Sequence, residues 1–374
     1  MALSRSTYSV PGTPRVYIDN LLYGRAVGVA FGEPSFRVYR HMAMGGGGAG
    51  YVNLASYVDT KLFWDLDPSR YVTINFPDFA DEGDLNWIIT SPGGYDSEIF
   101  PGFRDLMGTS NYFAALNHNL NSGSPEPLQF GSDSVDSHAS IVYGLDEDVI
   151  SDGFMISEIT PGENYDNDGD LSYSTSAFIN PSDGEYINTD TVLKIGSFSV
   201  GTYLDFPNSP DLSVKQSISY DGVSTTRTLA GKDLTNIRYS GAPNWGNLPP
   251  FTNTEANTYN YKGVSFTGRR SWDMKFSYVD KTDMFNSIMS GSSAGTNFRI
   301  LSVGDNDIED GFRADESIVG TYLSRTLGGS LKHILQPNNT KDEFYFVKLD
   351  QNSISINQVA HGVFDISLKF VQVW

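Results

Sequence analysis

The 374-residue chain contains no cysteine. Disulfides, thiolate nucleophiles and zinc–cysteine sites are thereby excluded, and stability has to come from packing. Positive charge is scarce: 25 Lys and Arg stand against 45 Asp and Glu, a formal net charge of −20. A field of that sign repels phosphate backbones and anionic lipid, so neither nucleic-acid binding nor membrane insertion is expected. No apolar run reaches the ~20 residues of a membrane-spanning helix. The opening Met1-Ala2-Leu3-Ser4-Arg5 lacks the apolar core of a signal peptide, which predicts folding and assembly in a cytoplasm. Histidine is rare as well, and none of the five, His41, His118, His138, His333 and His361, sits at metalloprotease spacing. No nucleophile, base and acid stand out as a set, and no enzymatic activity is expected.

What the chain has in quantity is aromatic residues, 21 Tyr and 23 Phe, with 37 Gly and 17 Pro spread along it. Flat rings suit a pleated face, and Gly and Pro suit turns and bulges. The composition predicts an all-β, mainly antiparallel protein. Period-two alternation supports this. The first half yields strand-like runs at Arg15 to Asp19, Tyr71 to Phe76, Asn111 to Leu120 and Ala139 to Tyr143, then Val192 to Tyr203, where Gly196 and Gly201 suggest bulges or close backbone approach. Gly45 to Gly48 is not followed by Gly-Lys-Ser/Thr, so it reads as a surface loop and not a phosphate cradle.

The last ~110 residues alternate most clearly. Trp272, Met274, Phe276 and Tyr278 are predicted to face a core, as are Tyr345, Val347 and Leu349, then Ile354 and Ile356, then Phe364, Ile366, Leu368 and Phe370. Between the first two sets, 280–290 is predicted to form one short helix, capped by Thr282 or Asp283, with Met284, Phe285 and Ile288 as its apolar stripe. Pro, Asn and Gly concentrate around Trp245. The expected division is therefore a β-sandwich region at 1–243, a linker at 244–260 and a C-terminal sheet domain with one short helix at 261–374.

Four constellations are candidate sites. His118 and Asn119 end an apolar strand, where they could touch a ligand together with Trp64 and Trp87; the reading preferred for His118 is that its hydrogen bonds hold its own loop. Asn164, Asp166, Asp168 and Asp170 place oxygen side chains at alternate positions beside Gly169, a spacing that suits calcium. Thr175 stands where an EF-hand needs a bidentate glutamate, so an acidic turn without metal fits as well, and no cofactor is required. Asp305, Asp307 and Glu309 form a weaker cluster. Arg269 and Arg270 precede the Trp272 strand, where they could dock an acidic partner or pair with a carboxylate of their own chain.

Gly268-Arg269-Arg270-Ser271-Trp272-Asp273-Met274 resembles a strand of structural proteins from marine tailed phages. So do Ser330 to Asn338 with the strand Phe344 to Asp350, and the ending Gly362 to Trp374. Their order resembles the sheet-and-helix oligomerisation domain of tail-tube and distal tail proteins. The resemblance implies a virion tail component that forms a homo-oligomeric ring, often a hexamer, between the tail tube and the baseplate. Its partners would be other phage tail or baseplate proteins. Arg269, Arg270, Trp272, Phe364, Ile366, Leu368, Phe370 and Trp374 would then carry assembly, and loss of the final strand would abolish it. The first half is similar, through His118-Asn119-Leu120, to galactose-binding-like jelly rolls of phage proteins, which implies a β-sandwich able to touch host surface glycan. A host-recognition module and a capsid decoration or fibre-attachment protein are the alternatives.

Overall fold

A computed structural model describes residues 12–29, 35–40, 51–53, 59–75, 85–90, 110–118, 128–134, 137–144, 154–158, 175–179, 192–220, 222–237, 268–285, 317–341 and 343–373. The chain is mostly β-structure in antiparallel sheets. Its N-terminal half carries β1 (Arg15–Asp19), α1 (Asn20–Ala26), β2 (Ser35–Arg40), β3 (Tyr51–Asn53), a 3-10 turn (Thr60–Trp64), β4 (Val72–Asn75), β5 (Leu85–Thr90), β6 (Tyr112–Leu116), β7 (Leu128–Ser134), β8 (Ser137–Gly144), β9 (Phe154–Glu158) and β10 (Thr175–Ile179). There follow β11 (Val192–Ile195), β12 (Ser197–Asp205), β13 (Lys215–Ser219), β14 (Val223–Arg227), β15 (Asp233–Ile237), β16 (Arg269–Asp280) and α2 (Lys281–Met284). The chain ends with a π-helical turn (Ile318–Leu323), β17 (His333–Gln336), β18 (Tyr345–Leu349), β19 (Ile356–Ala360) and β20 (Val363–Gln372).

These elements form two units that interleave in sequence, where a tandem arrangement was expected. Unit one comprises 1–18, 203–296 and 314–374; unit two comprises 19–202 and 297–313. The expected linker at 244–260 lies outside the described residues. The strands on either side of it nevertheless belong together: β1 pairs with β17, and β13 pairs with β16. Backbone pairing between segments more than 300 residues apart overrides any division read along the chain.

In unit one the sheet runs β13-β16-β20-β18-β17-β1, with β19 also paired to β20. Alternation works as expected along β20, where Ile366, Leu368 and Phe370 are buried and Ser367 and Lys369 face solvent. It works along β16 only as far as Phe276. Between Phe276 and Val279 the register against β20 shifts by one residue, and this bulge swings Tyr278 out to 77% exposure while Val279 turns inward. Tyr278 adopts φ +60, uncommon for a bulky residue, and its N–H donates to Asp365 Oδ1 at 3.1 Å. Tyr278 was expected in the core; the extra residue in the strand reverses its face.

The core of unit one gathers Trp272, Met274, Phe276, Tyr345, Val347 and Phe370 with residues from outside the C-terminal region, Val16, Ile18, Leu204 and Phe206. Phe206 stacks on Phe276 at 4.4 Å between centroids. The helix expected over 280–290 is described over Lys281–Met284, so Thr282 and Asp283 lie within its first turn and not at the capping position ahead of it. Met284 is fully buried and Phe285 packs edge-on to Phe364 at 5.0 Å, as their apolar character requires; Ile288 lies outside the described residues. The Arg15 guanidinium makes a bidentate pair with Asp205 at 2.6 and 3.0 Å and lies 4.2 Å from the Tyr203 ring centroid. Each side chain thereby gains a counter-charge in place of water.

Unit two contains the sheet β3-β2-β5-β10-β7-β8, the pair β11-β4 and the strands β12-β6-β9. Every residue of β6 is buried, so both of its faces are covered. Phe198 is the hub here, with its centroid 5.4 Å from Trp64, 5.5 Å from Phe113 and 6.1 Å from Phe63. Gly196 makes the close approach its sequence suggested. A Cβ there would stand 2.7 Å from the Leu116 carbonyl oxygen and 2.9 Å from that of Pro68. Asp19 accepts from the Leu22 N–H at 2.8 Å and so caps the N-terminus of α1.

Candidate functional site

The ligand-contact residues expected in the first half sit inside unit two. His118 is 3% exposed, and neither ring nitrogen has a hydrogen-bond partner. Burial, with the Lys194 charge nearby, pushes its imidazole down to about 3, so the ring is neutral. Trp64 is buried against Phe198 and its Nε1 is likewise unpartnered. Neither presents a surface to a dissolved sugar. The apolar residues that precede His118 in sequence are the reason, because β6 is enclosed on both sides and takes His118 inward with it. Trp87 lies in β5, opposite Ile179 of β10 and Val38 of β2. Its side chain is outside the described residues, as are Asn119, the acidic residues Asn164, Asp166, Asp168 and Asp170, the cluster Asp305, Asp307 and Glu309, and Trp374. Gly291-Ser292-Ser293-Ala294-Gly295 also fits the Gly-x-Ser-x-Gly spacing of a nucleophile elbow, and it too lies outside them.

A second buried polar group in unit two was not expected. The Ser199 hydroxyl donates to Asp19 Oδ2 at 2.7 Å and meets the Tyr112 hydroxyl at 2.9 Å. Burial pushes the Asp19 carboxyl up to about 6 against the pull of the Leu22 N–H and Ser199. Ser199 and Tyr112 are fully enclosed, so the chain of hydroxyls reaches no solvent in this conformation. It satisfies buried polar groups and holds the start of α1 to β12 and β6.

The residues expected to carry assembly are brought together, though in the interior of unit one. Trp272, Ile366, Leu368 and Phe370 are each at most 4% exposed and pack on their own sheet and turns. Alternation identifies an inward face but not what covers it, and here the covering layer comes from the same chain. These side chains can serve assembly only by holding the sheet in shape. Arg270 donates to the Tyr345 hydroxyl at 2.5 Å, and its backbone N–H donates to Gln372 Oε1 at 3.1 Å, so it is tied into its own sheet.

Uncovered apolar surface lies elsewhere, in a stretch for which sequence offered no reading. Among the described residues, Leu212, Val214, Ile218, Tyr220, Val223, Leu229, Leu234 and Ile237 are exposed, all within 26 residues of one another. Strand β13 forms the edge of the unit-one sheet and all five of its residues are exposed. Register places Gln216 opposite Trp272 and Ile218 opposite Arg270, so Ile218 lies on the core-facing side of the sheet without cover. Val214 and Tyr220, two on either side of that pair of positions, continue the same alternation. On the opposite face Ser217 and Ser271 share a hydrogen bond at 2.8 Å.

Charge is segregated in the same way. Unit one holds 16 Lys and Arg against 14 Asp and Glu, whereas unit two holds 9 against 31, which together make the chain's 25 and 45. Unit one is thus +2 and unit two −22. The apolar edge belongs to a unit that carries almost no net charge. No helix of the described residues is long and apolar enough to cross a membrane. Comparison of the chain with protein-family models, curated proteins and solved structures finds no match.

Proposed function

We propose that this chain is a structural subunit of a tailed-phage tail, a distal tail or baseplate ring protein that joins the tail tube to host-contacting parts. One observation carries the assembly part of this reading: the uncovered edge of unit one. Proteins normally protect an edge strand with charge, above all lysine, with proline or with a bulge, because a row of unpaired amides recruits other chains. Strand β13 carries one such charge, Lys215, but no proline, and it adds Ile218 on its core-facing side. A surface of this kind is a liability in a monomer and an asset in a closed ring. The near-neutral charge of unit one allows copies to meet there without strong repulsion. The phage assignment itself rests on the resemblance of the C-terminal strands.

Negative-stain microscopy and native mass measurement of the purified chain test the reading. Closed rings of one subunit number, six by the resemblance, are expected. A chain that stays monomeric at every concentration reached sinks it. Truncation before Phe364 is a poor test, because β20 is paired to β16, β18 and β19, and its loss removes the core of unit one itself.

A further inference from the structure

We draw no further inference here: the strongest candidate, the exposed surface patch of unit one formed by the β14–β15 hairpin with Val223, Leu229, Leu234 and Ile237, carries none because nothing in the structure shows what covers it.

Discussion

Both units of this chain are built from antiparallel strands, yet they treat their surfaces in opposite ways. Unit one carries +2 and, among the described residues, nearly all of the exposed large apolar side chains; unit two carries −22 and exposes only Val27 and Tyr71 of that kind. The whole-chain charge of −20 is therefore an average that describes neither. Their interiors differ too. Unit two encloses polar groups beside its hydrophobic hub, the Asp19–Ser199–Tyr112 chain and the unpartnered His118. Unit one encloses polar groups as well, but its buried histidine is paired on both nitrogens and its buried Arg15 meets Asp205: His333 Nδ1 meets the Leu331 carbonyl at 2.9 Å and Nε2 meets the Tyr322 hydroxyl at 3.0 Å. A strongly charged unit can keep the chain dispersed while its neighbour in sequence keeps an apolar edge free for a partner.

The largest expected effects come from cutting the two cores separately. Phe198→Ala removes the hub of unit two, and Phe370→Ala removes a fully buried ring of unit one; each should cost about 3–5 kcal/mol. Hydrogen exchange should show the first loosening β6 and β12 and the second loosening β16, β18 and β20. If either substitution loosened both sets equally, the two units would be a single cooperative block.

Acid should separate the units by about 3 kcal/mol. Burial holds His333 at about 4, below its ordinary value, so the stability it contributes is present above pH 6.5 and is lost as pH falls towards 4. In unit two His118, at about 3, acts in the same direction, but Asp19 opposes it. The raised Asp19 pKa of about 6 costs stability above that pH and returns it as pH falls from 6 to its unfolded value near 3.8. On these groups unit one should loosen first between pH 6 and 4, as read by unit-resolved hydrogen exchange. Asp19→Asn should steepen the acid response of unit two; an unchanged profile would remove Asp19 from the account.

The smallest effect is a single hydrogen bond. Tyr322→Phe leaves His333 Nε2 without its donor and should cost about 1 kcal/mol, read as a lower unfolding midpoint for unit one alone. A loss in unit two would contradict the division.

Much of the fold was legible in the chain. The all-β class followed from aromatic and glycine content, and β1, β4, β6, β8, β12, β16, β18 and β20 overlap strands expected from alternation. Three things were not legible, each for a physical reason. The bulge at Tyr278 inserts one residue into an otherwise regular alternation, and no side chain marks its position. The strands β14 and β15 mix polar and apolar residues on both exposed faces, and the alternation through β13 from Val214 to Tyr220 is broken by Gln216, so neither pattern says whether a core lies behind it. The assembly residues expected at Trp272, Ile366, Leu368 and Phe370 were correctly read as one-sided, but the identity of the covering layer is a long-range fact. The buried Asp19 gave no signal either, since a capping aspartate looks the same in sequence whether its helix lies at the surface or inside.

By itself the sequence determined where strands form and which way most side chains face. Those properties depend on backbone geometry and the residue types within a few positions. Only the tertiary structure decided which strands share a sheet, since β1 with β17 and β13 with β16 are non-local pairings that no local pattern encodes. From that interleaving comes the separation of charge into +2 and −22, and it is the unit of +2 that holds the exposed apolar residues between Leu212 and Ile237.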